Sequence, residues 1–255
     1  MDAPTANAAP LPGRLSGLEL TGRARTHVRE VPELRCLLHP LAAAALQAMR
    51  AAAAHAGIDL VPASGFRDFA RQLAIWNGKY SGARPLLDRA GRPLAADTLD
   101  EGGRVAAILV WSALPGASRH HWGTDCDLID RAAQPPGASI ELLGEHYAPT
   151  GCYAPLAAWL ARHAHDYGFF LPYDLDRGGV QPEPWHYSFA PIAVTAQAAL
   201  QPELLRAALS ESDLLGWKSV SAELPIIFER YVSAVASPPR AALAAGALSR
   251  AATPV

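Results

Sequence analysis

The chain has 255 residues, half of them hydrophobic and 18% charged, with a formal net charge of −2. That is ample apolar material for one sizeable core, and with no Lys/Arg block it argues against a nucleic-acid or anionic-membrane partner. No apolar run approaches the roughly 20 residues of a membrane helix, and three cysteines are too few, and odd in number, for a disulfide framework.

Taken in order, residues 1–17 are rich in Ala, Pro and Gly and are expected to be disordered. They contain no apolar segment of the kind a secretory signal needs, so the chain as it stands reads as cytoplasmic, or as periplasmic or envelope-bound if the native start is longer. An Ala/Leu-rich stretch over 37–56, with Pro40 near its start, predicts a helix stopped by Gly57. Residues 58–63 predict a short buried strand, and Ser64-Gly65-Phe66-Arg67 a turn into a second helix that runs to about 76–79. The 81–98 segment reads as an insertion holding a hairpin around Arg89-Ala90-Gly91. A helix is expected over 101–114, stopped by Pro115-Gly116, then a strand over 124–130 and a Pro/Gly-interrupted excursion over 131–150. A helix over 153–167, strands over 169–173 and 185–189, and helices filling 191–234 complete the pattern. The expected fold class is α+β, a small antiparallel sheet packed against several helices. It forms one domain over 18–236, with a motif-bearing body at 58–190, C-terminal helices over 191–236 and a flexible tail at 237–255.

The chemistry gathers in Ser118-Arg119-His120-His121-Trp122-Gly123-Thr124-Asp125-Cys126-Asp127. Two histidines and two carboxylates in ten residues are costly to bury unless they have partners. A catalytic zinc takes three protein ligands from His and carboxylate and leaves a position open. His120, Asp127 and, further on, His186 would supply such a set. His120 and Asp127 are seven apart, so an unbroken strand would point them to opposite faces. A bend is required, and Gly123 permits one. Glu183 and His186 are three apart, but Pro184 biases Glu183 toward an extended backbone. A turn entering a strand is therefore expected there, with the carboxylate placed to act as a general base. Cys126 is expected to turn into the core, and His163 and His165, on different faces of one helix, form no metal pair.

These residues also carry a resemblance. Ser118-x-His120-x-x-Gly123-x-x-x-Asp127 is similar to the Ser-x-His-x-x-Gly-x-Ala-x-Asp signature of the VanY-type zinc D,D-carboxypeptidases. Glu183-Pro184-Trp185-His186 looks like their Glu-x-x-His, and Ser64-Gly65-Phe66-Arg67 followed by Gln72 resembles their Ser-Gly-Tyr-Arg-Ser…Gln segment. The resemblance implies a small antiparallel sheet ringed by helices and Zn2+ on His120, Asp127 and His186. It makes Glu183 the base and puts Arg67 at the substrate carbonyl or carboxylate, with Ser118, Gln72 and Ser64 as substrate-binding neighbours. The substrate it implies is a peptidoglycan stem peptide or muropeptide, cut at its terminal D-amino acid or a neighbouring bond. Two departures stand out. Asp125 occupies the signature's Ala position, either as a partner orienting a histidine or as a competing ligand, and Phe66 stands where the family has Tyr. Two other readings remain open: a non-catalytic zinc or cell-wall-binding module, and an endopeptidase cutting within the cross-link.

Overall fold

In a computed structural model, residues 14–251 are described apart from 135, 136 and 138, with backbone alone for 246–251. The start of that range is ordered. Ser16 Oγ accepts from the Glu19 amide and the Glu19 carboxylate accepts from the Ser16 amide, a capping box that opens α1 (Gly17–Leu20). Of the expected disordered segment, residues 1–13 lie outside the described range and 14–17 lead into this helix.

Two short strands, β1 (Arg29–Val31) and β2 (Cys36–Leu38), then form a hairpin that the sequence pattern did not announce. Three residues per strand are too few for a visible alternation. The loop between them passes through Arg35 at φ 52°, the one non-glycine residue with positive φ among those described.

Helix α2 (Pro40–Ala54) begins at His39, whose Nδ1 accepts from the Leu41 amide at 3.3 Å, with Pro40 at the first helical position. It buries Ala42, Leu46, Met49 and Ala53, one stripe at helical spacing. Burial pushes the His39 imidazole down to about 4. The unfolded chain would therefore take up a proton near pH 6.5 that the fold refuses, so stability should be full above that pH and decline as pH falls from about 6.5 toward 4. His39→Asn keeps a capping side chain without a titrating ring. Thermal melts should show a smaller acid-side loss for this variant than for the parent, and identical pH profiles would rule His39 out as the cause.

The chain continues through β3 (Leu60–Ser64), α3 (Phe69–Tyr80), the hairpin β4 (Leu86–Leu87) and β5 (Pro93–Leu94), and α4 (Glu101–Trp111). Asp68 and Asp100 cap α3 and α4 through hydrogen bonds from the Arg71 and Gly103 amides. After β6 (Asp125–Asp130) come α5 (Gly144–Tyr147), α6 (Ala154–His163) with a tighter turn over Ala164–Tyr167, β7 (Phe169–Phe170) and β8 (His186–Phe189). The last part is helical: α7 (Ala190–Ala199), α8 (Pro202–Ser210), α9 (Trp217–Ile227) and α10 (Arg240–Ala251). Where a flexible tail was expected from 237, α10 packs back on α7, and Ala242 is fully buried.

The central sheet has the order β3-β6-β8-β7, antiparallel throughout. Every residue of β6 is buried, which suits a strand with neighbours on both edges and layers on both faces. One face looks into a core that includes Leu46, Leu60, Cys126, Leu128 and Tyr187. A second core lies among α3, α4, α7, α8 and α9, around Trp76, Ile108, Leu205 and Leu224. Cys126 is where strand alternation puts it, in the first core and away from the polar stretch. No helix among the described residues is long and apolar enough to cross a membrane.

Candidate metal centre and catalytic pocket

The sheet register builds the site. Asp127 stands opposite His186 on β8 and opposite Ser64 on β3, past a bulge at Pro62/Ser64. Directly opposed residues share a face, so Ser64, Asp127 and His186 form one row across the sheet. Two residues along, Asp125 and Ser188 form a second row on the same face.

His120 arrives from outside the sheet. It lies in a 3-10 turn, Arg119–Trp122, ended by Gly123 at φ 65° and ψ 14°. A β-carbon on Gly123 would lie 2.4 Å from Val28 Cγ1 and 2.9 Å from the His39 amide, so both conformation and space demand glycine. The bend expected between His120 and Asp127 is this residue. Glu183 is placed by a turn over Pro184-Trp185, closed by the His186 amide donating to the Glu183 carbonyl at 3.0 Å, before β8 begins.

One candidate ligand atom from each of His120, Asp127 and His186 lies within 4.8 Å of the others, all three residues being buried. Their outer hydrogen bonds fix which nitrogen faces inward. His120 Nδ1 is 2.8 Å from the Gly65 carbonyl, which can only accept, so Nδ1 carries the proton and Nε2 turns its lone pair toward Asp127 at 3.5 Å. His186 Nε2 is 2.9 Å from the Asp125 carboxylate and donates to it. His186 Nδ1 then faces Asp127 Oδ1 at 3.4 Å and Glu183 Oε2 at 3.3 Å.

Asp125 is itself held by Arg119 Nε at 2.9 Å, Thr124 Oγ1 at 2.6 Å and Ser188 Oγ at 3.0 Å. Arg119, 4% exposed, also donates to Ser188 and Gln197 and lies over the Trp122 ring. Burial would raise the Asp125 carboxyl, but Arg119, His186 and Thr124 outweigh it and hold it well below the ordinary range. Asp127 is likewise raised by burial and lowered further by His120 and His186. Burial lowers His186, yet the surrounding carboxylates of Asp125, Asp127 and Glu183 raise it well above an ordinary histidine.

Does this donor set fit a cation? Asp127 Oδ1 is buried and accepts no hydrogen bond, an arrangement that proteins seldom leave uncompensated. Three carboxylates converge on the His186 imidazole, an excess of negative charge that calls for a cation, and His120 presents an unprotonated Nε2 toward Asp127. Two nitrogens, each on a ring oriented by an outer partner, and one carboxylate suit zinc.

The set lines a cavity of about 280 Å³ together with Arg67, Ser118, Trp111, Tyr173, Glu183 and Trp185. Leu87 from the 81–98 insertion and Leu142 from the 131–150 excursion complete its wall. Arg67 is anchored at both ends of its guanidinium, donating to Gln72 Oε1 at 2.8 Å and Ser64 Oγ at 3.3 Å. Gln72 is fully buried and in turn donates to the Ala113 carbonyl. Ser64 and Gln72, expected as substrate contacts, lie outside the cavity wall and hold Arg67, whereas Ser118 does line the cavity. Arg67 makes no salt bridge to its neighbours Asp68 or Asp59; Asp68 caps α3 and Asp59 pairs with Arg50 and Arg131.

His121 is no ligand. Its Nδ1 lies 2.6 Å from the Arg67 carbonyl and its Nε2 accepts from the Gly116 amide at 3.1 Å, so a neutral ring pins the Arg67 backbone. Trp122 is buried in the helical core, donating to the Leu20 carbonyl, while Trp185 lines the cavity. Sequence reasoning missed Arg119, although a signal existed: a carboxylate in place of an alanine inside a buried strand needs a cation beside it.

Comparison with known proteins gives the family. The model of the VanY family, D-alanyl-D-alanine carboxypeptidase, matches residues 35–192, more than half of the chain. Two uncharacterized proteins of Haemophilus influenzae are similar. One is 45% identical over 98 residues, covering 37% of this chain and 67% of the relative, and the other is 34% identical over 121 residues, covering 47% and 92%. Among solved structures, VanYB in complex with D-alanine-D-alanine is 20% identical with a TM-score of 0.47, over 75% of this chain and 92% of that one. The LdcB LD-carboxypeptidase is 21% identical with a TM-score of 0.48, over 79% and 80%. On the match from 35 to 192, the chain belongs to the VanY family of D-alanyl-D-alanine carboxypeptidases.

Proposed function

We propose that this protein is a zinc-dependent carboxypeptidase that hydrolyses the terminal D-amino acid of peptidoglycan stem peptides or muropeptides. The observation that carries the reading is Glu183 Oε2 beside the inward nitrogen of His186, at the edge of the His120/Asp127/His186 set and in the same cavity as Arg67. Family membership supports a peptidoglycan peptidase. The donor set supports zinc.

His120 Nε2, Asp127 and His186 Nδ1 would hold the ion. Bound there, zinc would supply Lewis acidity toward a substrate carbonyl and a water molecule. Glu183 takes a proton from the water that attacks the carbonyl, and returns it to the departing amine nitrogen. Arg67, held by Gln72 and Ser64, presents a fixed positive charge to the substrate's terminal carboxylate or to charge developing on the carbonyl oxygen. Leu87, Leu142, Trp111 and Trp185 give the cavity apolar walls that limit water around the reacting groups.

Metal analysis should find one zinc per chain, and His120→Ala, Asp127→Ala and His186→Ala should each lose most of it. If His120→Ala keeps full zinc while His121→Ala loses it, the ligand assignment fails. Incubation with stem pentapeptide and tetrapeptide, with and without chelator, should release a terminal D-amino acid only when metal is present. A zinc-loaded protein that cleaves no D,D- or L,D-peptide would be the binding module instead.

Asp125 acts in this scheme through His186. Its carboxylate receives the Nε2 proton and so keeps Nδ1 free for metal. Asp125→Asn retains the shape and removes the charge, and loss of such a partner costs about 10–100-fold in metal affinity. Chelator competition reads this directly, without an assay of turnover. An unchanged zinc dissociation constant would reduce Asp125 to a partner of Arg119.

A further inference from the structure

A second cavity, of about 600 Å³, adjoins the first through Arg67, which lines both. Its walls are the β1–β2 hairpin on one side and, on the other, the end of β3 with the Gly65–Phe66 turn. The turn is a partition one chain thick. The Gly65 carbonyl faces His120 on its inner side, while a β-carbon on Gly65 would meet Cys36 of the hairpin at 3.1 Å on its outer side.

Besides Arg67, the arginines Arg25, Arg35 and Arg71 line this groove. Among the described residues none of these three side chains has a hydrogen-bonding or ion-pairing partner. Other arginines, among them Arg23, Arg50, Arg89, Arg119, Arg131 and Arg177, pair with an acid, whereas these three gather unpaired on one concave surface. One acid, Glu30, lines the groove, leaving four positive charges against one negative in a chain whose net charge is −2. A concave site of one sign concentrates ligands of the other.

We infer that the Arg25/Arg35/Arg71 groove binds free carboxylates of the substrate peptide beyond the segment held in the metal pocket. The identity of the substrate rests on the peptidase reading above, whereas the sign of the ligand rests on the groove. A peptide substrate suits it chemically, because any acidic residue along it carries a free carboxylate that a guanidinium can pair with. Guanidinium groups recognise carboxylates in a forked, two-point manner that lysine does not reproduce.

The test is isothermal titration of stem pentapeptide into the Glu183→Gln protein, with and without Arg25→Gln/Arg35→Gln/Arg71→Gln, using the peptide with its internal carboxylates free or amidated. Three exposed charge pairs together are worth on the order of 10-fold in affinity. The free-carboxylate peptide should therefore bind about 10-fold more weakly to the triple variant, and the amidated peptide should bind both proteins alike. Added salt should erode the difference. Equal affinity of the two proteins for the free-carboxylate peptide would overturn the proposal. So would a groove in which inorganic diphosphate competes while amidation changes nothing, because that is a phosphate site. The expected binding pattern with no hydrolysis by the parent enzyme would sink the peptidase reading and leave the groove standing.

Discussion

Glu183→Gln should lower kcat by about 10²–10⁴-fold, the usual worth of general-base catalysis, while zinc content stays near one per chain. The amide matches the carboxylate in shape and can still hydrogen-bond, but it cannot take a proton from the attacking water. Glu183 stands next to the inward nitrogen of His186 at 3.3 Å and lies outside the triad of converging ligand atoms. Substrate affinity should therefore change little, since the proton moves only on the way to the transition state. Metal lost together with activity would make Glu183 a ligand and leave the base unidentified.

The second large effect is expected at Arg67. Arg67→Ala should keep its zinc and lose roughly 3–4 kcal/mol of transition-state stabilisation, the scale set by removing one preorganised donor from a developing charge. In kcat/KM that is about 10²–10³-fold. Its guanidinium is fixed by Gln72 and Ser64 before any substrate arrives, so little ordering remains to be done on binding. Arg67→Lys should recover only part of the loss, because an ammonium cannot span both anchors. Unchanged kcat/KM on a substrate with a free terminal carboxylate would make Arg67 a structural residue.

Much of this site was legible in the sequence because its residues sit where local rules are strong. Gly123 between His120 and Asp127, and Pro184 between Glu183 and His186, are backbone constraints visible in one dimension, and both produce the expected turns. Strand alternation separated Cys126 from Asp125 and Asp127. What was not legible depends on register. That Asp127 faces both Ser64 and His186, and Asp125 faces Ser188, is decided by pairing between strands far apart in the chain. The outer hydrogen bonds that settle each imidazole's orientation follow from the same pairing. Elements of two or three residues, β1, β2 and β7 among them, are too short to impose a period on the sequence. The order of α10 comes from packing against α7, which no pattern within the tail itself reveals.

The family match begins at residue 35, yet the support of Arg67 begins earlier. Gly22, at φ 72°, presses so close to His121 that a β-carbon would fall 2.3 Å from its Nδ1, and the Gly22 carbonyl accepts the Phe69 amide at 2.9 Å. The Leu20 carbonyl receives the Trp122 indole, and His27 Nε2 bonds the His121 carbonyl. Residues 16–28 thus form a buttress behind the turn that carries Arg67. A protein trimmed to the family boundary would keep every ligand, base and anchor and still lose the wall they lean on. In this chain the unit that has to be inherited intact is longer than the unit by which relatives are recognised.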